Sequence, residues 1–300
     1  MPTYEEEQYI KSLYNTEVLE QEPMAKHTTF GVGGPADWYL IPSTFDSFLF
    51  AIRQAREWRL PHVILGNGSN VLVRDEGIRG IVISTEKLDQ IEVRGKRLMA
   101  GCGAKLSQIA AVAQKNGLRG LEFAAGIPGT LGGAIFMNAG AYGGEMADVV
   151  SETVYLDIID RVISVKGEEQ AFGYRTSFFE QNPDRIIVSA ILDLELGDPR
   201  RIQDEMAELA EKRRAKQPLE YKSAGSTFQR PEGHYAGQLI EEAGLKGFTV
   251  GGAQVSEKHA GFVINLGNAT AQDILDVMET VKKRVYETSG VTLEPEVRVL

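Results

Sequence analysis

A chain of 300 residues with 43% hydrophobic content can bury a large core, so it is globular rather than disordered. Its formal charge of −10, from 32 Lys and Arg against 42 Asp and Glu, repels nucleic acid and acidic membranes at long range, so any anionic ligand needs a local cluster of donors. Cys102 is the only cysteine and the histidines (His27, His62, His234, His259) lack zinc-ligand spacing, while no apolar run approaches the roughly 18 to 20 residues of a membrane helix. The expectation is a cytoplasmic protein with no structural metal, no disulfide and no obligate protein partner.

Residues 1–22 read as an acidic amphipathic helix. A strand is expected at 37–41, between the Gly31, Gly33, Gly34 turn and Pro42. Ser43 or Thr44 can cap the following helix, in which Phe45, Phe48, Leu49, Ile52, Ala55 and Trp58 recur at helical spacing until Pro61. Strands are predicted at 62–65, 71–74, 81–84, 91–93 and 98–100, and a helix at 106–116 that ends at Gly117. The segment 123–143, with six glycines and five alanines, reads as an irregular loop. A hairpin at 149–165 turning near Asp160 and a strand at 186–196 follow.

Composition shifts after Gly197. A helix beginning at Pro199 carries Ile202, Met206, Leu209 and Arg213 on one side and ends in a basic run before Gln217-Pro218. A short helix at 236–243, strands at 250–255 and 262–265, a long helix at 270–288 ending at Gly290, and a strand at 291–300 complete an α+β unit.

Three glycine patterns invite comparison as nucleotide-binding sites. Gly31-Val-Gly33-Gly34 leads into strand-like residues instead of a helix, which argues against a dinucleotide fingerprint. Gly101-Cys-Gly103 precedes a helix but has Leu106 at the third glycine position. The better pair is Gly66-Asn67-Gly68-Ser69-Asn70 with the 123–143 segment. Glycines there let a backbone approach a pyrophosphate, and Ile127, Leu131, Ile135, Phe136 and Met137 anchor the second loop where a flexible linker would have none. Ser226, read alone, is turn chemistry; no Gly-x-Ser-x-Gly elbow surrounds it, which counts against a hydrolase.

Taken together, Gly66-Asn-Gly-Ser-Asn-Val-Leu72, Ala124-Ala-Gly-Ile-Pro-Gly-Thr-Leu-Gly-Gly133 with Asn138-Ala-Gly-Ala-Tyr142, Tyr174-Arg175, Ser223-Ala-Gly-Ser-Thr-Phe228, the 236–247 segment and Lys258-His-Ala-Gly-Phe-Val-Ile-Asn265 resemble the UDP-N-acetylenolpyruvoylglucosamine reductase family from about Thr28 to Leu300. The lack of a substrate-covering insertion is similar to its shorter, type II form. The resemblance implies an α+β chain: a two-subdomain FAD-binding fold of the vanillyl-alcohol oxidase (PCMH) type at 28–197, with a subdomain boundary near 85–100, after a helical segment at 1–27. A smaller α+β substrate-binding domain at 198–300 follows. It further implies FAD, NADPH as hydride donor, and reduction of UDP-N-acetylglucosamine enolpyruvate to UDP-N-acetylmuramate for peptidoglycan synthesis. The FAD is expected to be non-covalent because neither His nor Cys occurs in the two proposed FAD loops.

By the same resemblance the FAD pyrophosphate is cradled by Gly66, Asn67, Gly68, Ser69 and Asn70 and by Gly126, Ile127, Pro128, Gly129, Thr130, Gly132 and Gly133, with Asn138, Ala139 and Gly140 nearby. Arg175 grips the developing enolate with Glu296, protonated or hydrogen-bonded, as its companion, and Ser226 donates the proton. Tyr174, Arg213, Lys216, Gln217, Arg230, Lys258 and His259 are candidates for the UDP portion or the NADPH phosphates, and each could equally be a solvated surface group. A flavin oxidase of the same superfamily and a catalytically silent nucleotide-sugar-binding protein are the alternatives.

Overall fold

The computed structural model describes residues 4–300, which divide into two compact units. Unit 1 comprises the chain through Glu20, Trp38–Asn67 and Gly80–Arg213; unit 2 comprises Gln21–Asp37, Gly68–Arg79 and Arg214–Leu300. Two early segments, 21–37 and 68–79, thus group with the C-terminal third rather than with their sequence neighbours, a division that composition along the chain does not reveal.

In unit 1, helix α1 (Tyr4–Lys11) ends before Asn15, which adopts a left-handed conformation at φ 47°, and Thr16–Pro23 is a strand. The expected single helix over 1–22 is therefore corrected; of that span, residues 1–3 lie outside the described residues. The acidic amphipathic pattern suggested one helix, but the chain turns at Asn15 and its carbonyl is held by the Ser43 amide and hydroxyl, both at 2.9 Å. Helix α2 (Phe45–Glu57) starts at Thr44, whose hydroxyl accepts the Ser47 amide while the Ser47 hydroxyl accepts the Thr44 amide. Such a reciprocal cap contributes about 1 kcal/mol. It orients the buried face of Phe48, Leu49, Ala51, Ile52 and Ala55.

Two larger sheets share the unit 1 core with the helices. One has the order Thr16–Pro23, Pro35–Pro42, Ile78–Ser84, His62–Leu65, with the last two parallel. The other is antiparallel, in the order Val162–Lys166, Val150–Leu156, Ile186–Asp193, Arg97–Gly101, Ile91–Arg94. The hairpin turns where expected, with Asp160 at φ 63°. Helix α3 (Leu106–Lys115) buries Leu106, Ile109, Ala110 and Ala113.

The glycine-rich segment is more ordered than its composition implies. It contains helix α4 (Leu131–Phe136), with Leu131, Ala134 and Ile135 buried at i, i+3, i+4 spacing. Gly132 permits the close approach: a Cβ there would lie 3.0 Å from the Cys102 Cβ. Helix α5 (Phe178–Gln181) is a single turn, and α6 (Pro199–Lys216) begins at Pro199 as expected.

Unit 2 is built on helices α7 (Ala236–Glu242) and α8 (Ala271–Ser289) with a small antiparallel sheet, Thr249–Val250, Ala253–Val255, Val263–Asn265. The stripe Ile274, Val277, Met278, Val281 and Val285 is buried against Phe30, Leu72, Val255 and Val263. Thr270 caps α8 and Gly290 at φ 71° terminates it. The Asp75 carboxylate accepts the first amides of α8, Ala271 and Gln272, both at 2.9 Å, placing a negative charge at the positive helix end. Two expected strands differ. The run 250–255 is a hairpin, because Gly251 takes φ 53° and Gly252 packs against the Ala269 amide where no Cβ fits. Of 291–300 only Arg298–Val299 forms a ladder, parallel to Val71–Leu72, because Pro295 cannot donate to a continuous one.

Candidate functional site

In unit 1 the two glycine loops meet. The Asn67 side-chain amide donates to the Pro128 carbonyl at 2.6 Å, and a methyl on Gly66 would stand 2.3 Å from the Thr130 hydroxyl. The second loop is pinned beneath: Leu106 N donates to Gly129 O at 3.0 Å, Leu131 N to Ala104 O and Gly132 N to Cys102 O, both at 2.8 Å. Gly126, Pro128 and Gly133 remain exposed above that scaffold. Side-chain-free backbone held rigidly at the surface suits a pyrophosphate, so the residues present fit the implied FAD. Cys102 lies beneath the loop, 1% exposed, with its thiol pushed up to about 12 by burial. It holds no reactive thiolate for a covalent flavin link.

The Asn138 side chain turns inward. Fully buried at φ 42°, it donates to Gly173 O at 2.9 Å and accepts the Ala147 amide at 2.9 Å. Its side chain thus ties the glycine loop to the turn bearing Tyr174 and Arg175. There Gly173 and Thr176 exchange backbone hydrogen bonds of 3.0 and 3.3 Å, and Arg175 itself takes φ 55°. The half-buried guanidinium reaches Gly140 O at 3.5 Å and lies 5.2 Å from the centre of the exposed Tyr174 ring.

In unit 2, Gly68 is buried at φ 59°, where a Cβ would collide with the His27 carbonyl. Its carbonyl accepts the Thr29 amide at 3.1 Å. Ser69 and Asn70 follow; the Asn70 side chain donates to Glu296 O at 3.0 Å, and Arg298 N donates to Asn70 O at 3.0 Å. Glu296 and Ser226 are brought together by a short antiparallel contact centred on Phe228 and Pro295. Glu296 N donates to Thr227 O at 2.9 Å and Gln229 N to Glu294 O at 2.8 Å. Gly225 takes φ 76°, leaving Ser226 exposed beside a Thr227 that is completely buried.

Sequence reasoning missed Thr227 and Thr29. The Thr227 hydroxyl accepts Val263 N at 3.0 Å and its own amide donates to Gly261 O at 2.9 Å, so it is the anchor of the Ser226 turn. Its adjacency to Ser226 in the motif was the available signal. The Thr29 hydroxyl is buried with no hydrogen-bond partner among the described residues, which only coordinates could reveal.

The remaining candidates separate. Arg213, in unit 1, lines a cavity of about 310 Å3 with Gly126, Tyr142 and Met206, and burial holds its guanidinium below the ordinary value. Lys216 is exposed, and the Gln217 side-chain oxygen is buried without a partner among the described residues. Lys258 donates to Arg214 O near the end of α6 at 2.7 Å. His259 accepts the Gly261 amide at Nδ1 (3.1 Å) and packs edge-on against Phe262; desolvation first of all lowers its pKa. Arg230 stacks over Tyr235 at 4.1 Å. Among the described residues no group of His, Cys, Asp or Glu could hold a metal, and no helix is long and apolar enough to cross a membrane.

Comparison with known proteins defines the class first. An FAD binding domain matches residues 36–161, so the expected α+β, FAD-binding architecture holds and the chain is a flavoprotein by fold. The C-terminal domain of UDP-N-acetylenolpyruvoylglucosamine reductase matches residues 217–300. Reductases of that name from Caldanaerobacter subterraneus subsp. tengcongensis and Exiguobacterium sibiricum are 49% and 48% identical, covering 93% and 98% of this chain and 92% and 98% of their own. The crystal structure of UDP-N-acetylenolpyruvylglucosamine reductase (MurB) from Thermus caldophilus matches with a TM-score of 0.80 and 36% identity, over 95% of this chain and 98% of that one. The chain belongs to the UDP-N-acetylenolpyruvoylglucosamine reductase family.

Proposed function

We propose that this chain reduces UDP-N-acetylglucosamine enolpyruvate to UDP-N-acetylmuramate in the cytoplasm, with non-covalent FAD and NADPH. Held by the 66–67 and 126–133 backbone, FAD would supply the hydride-transfer chemistry between NADPH and the enolpyruvyl methylene carbon. The chain's own residues must then handle a carboxylate and a proton. Arg175 holds the substrate carboxylate through its planar fork and stabilises the charge that develops beside it. Ser226 donates a proton to the carbon next to that carboxylate, and Glu296 holds the donor region in order.

The observation that supports this reading best is the backbone contact joining Thr227 to Glu296, because it sets the proposed proton donor and its acidic companion side by side from positions far apart in sequence. The opening left by Gly225 and the buried Thr227 anchor present the Ser226 hydroxyl outward from a fixed backbone. Arg213, half-buried in a cavity that Glu122 and Gln203 line beside mostly apolar residues, is the candidate for a nucleotide phosphate with the clearest physical motive, since a desolvated guanidinium gains from an anion.

The test separates the two half-reactions by stopped flow. In Ser226→Ala, NADPH should bleach the flavin at a near-normal rate, while reoxidation by the enolpyruvyl sugar slows by roughly 10²- to 10⁴-fold, the range for losing a general acid. Equal rates for wild type and variant in the sugar-dependent step would remove Ser226 from the proposal. A turn serine without chemistry would instead affect both half-reactions alike.

A further inference from the structure

We infer that Ser177 is a positioning residue that, with Asn138, sets the Arg175 turn and acts on the reaction only through Arg175; this rests on the reading that Arg175 grips the substrate carboxylate. Arg175 stands in the second position of a two-residue turn with φ 55°, where glycine or asparagine is the ordinary occupant. A long side chain persists there only when its surroundings over-determine the conformation.

Two buried side chains do so from one direction. Ser177, completely buried, donates its hydroxyl to Phe136 O at 2.8 Å and accepts the amides of Phe179 and Glu180 at 3.2 and 3.3 Å. This locks the chain immediately after the turn onto the end of α4. Asn138, also completely buried, bonds Gly173 O and so locks the chain immediately before it. Gly173 O therefore accepts from both Asn138 and Thr176, closing the turn from inside and outside. Both bonds end on residues 136–138 of the glycine-rich segment, so the piece that carries that loop also aims the guanidinium, which itself touches Gly140 O. Neither Ser177 nor the Asn138 amide has a polar atom left to offer a substrate.

Four FAD-loaded proteins decide the matter: wild type, Ser177→Ala, Arg175→Ala and the double variant, with each half-reaction followed by stopped flow and FAD content measured. Ser177→Ala should slow the sugar-dependent step by about 10- to 100-fold, the scale of a misplacement near 1 Å, chiefly in kcat and with FAD content retained. The double variant should be no slower than Arg175→Ala, because a residue acting only through the guanidinium has nothing to lose once it is gone. Ser177→Thr, which keeps the hydroxyl, should restore most of the rate.

An unslowed Ser177→Ala, or a double variant slower by the product of the two single effects, overturns the inference. If Arg175→Ala is itself unslowed, the role given to Arg175 fails instead, and the two failures are distinct. Should Ser177→Ala not accumulate as folded protein, Asn138→Asp keeps the acceptor for Ala147 and removes the donor to Gly173. It should slow the sugar-dependent step more than flavin reduction, and equal slowing of both would count against the inference.

Discussion

In unit 1 the Tyr174-Arg175 turn is clamped by side chains from both flanks, and Arg175 itself takes the left-handed conformation. In unit 2 the turn before Ser226 is clamped mainly by backbone pairing to 294–296 and by one buried threonine, and Gly225 takes the left-handed residue so that Ser226 need not. The difference suits the proposed role of each group. An arginine aimed at a planar carboxylate needs its direction fixed at several bonds from the backbone, so the backbone beneath it is over-determined. A serine hydroxyl sits one bond from Cβ, and fixing the main chain fixes the donor.

Arg175→Lys tests the first clamp. Lysine keeps the charge but not the two-point grip, so sugar-dependent turnover should fall by about 10- to 100-fold, the worth of a charged hydrogen bond, with FAD content unchanged. Near-normal turnover would show that direction does not matter at this turn, erasing the contrast.

Thr227→Val tests the other clamp. It keeps shape but leaves the buried Val263 amide without its acceptor, and should cost about 1–3 kcal/mol in urea unfolding. Because the serine is aimed by its backbone, the sugar-dependent rate should fall with it, and stability lost with the rate intact would mean that Thr227 only holds the fold.

Arg175→Gly should abolish the grip yet raise unfolding stability modestly, by about 1 kcal/mol or less, since glycine adopts the left-handed conformation without strain. A large destabilisation would show that the turn is not strained. The same exchange of residue types at Gly225 runs the opposite way, which is what makes the pair informative.

The smallest effect concerns pH. Burial lowers the pKa of His259 below its ordinary 6.5, so above that value both folded and unfolded forms are neutral. As pH falls the unfolded chain takes up the proton first, and stability is lost as the pH drops through the depressed folded value. His259→Asn, which keeps an acceptor for the Gly261 amide, should flatten that loss in urea melts at pH 5 against pH 7.5. An unchanged slope would assign the pH dependence elsewhere.

Most helices could be read from spacing because amphipathic periodicity and caps are local: Thr44 and Thr270 start α2 and α8, and Gly290 ends the latter. The glycine loops were legible as a composition no packed element tolerates, although α4 inside the second was not, since its short apolar face matters only against Cys102 and its neighbours. Strand ends were misread where pairing decides them. Pro295 and Gly251 look like punctuation, but which residues beyond them pair depends on partners far away in sequence.

The residue types of the proposed site were thus legible in the sequence itself: an arginine and a serine in family-specific motifs, a glutamate near the C-terminus, and glycines where backbone could approach an anion. Only the tertiary structure decided that Asn138 faces Gly173 and Ala147, that Thr227 anchors Ser226 beside Glu296, and that residues 21–37 and 68–79 pack with the C-terminal third. The physical reason is the same in each case. A buried hydrogen-bonding group takes whichever partner the folded core brings within 3 Å, and nothing in its local sequence names that partner.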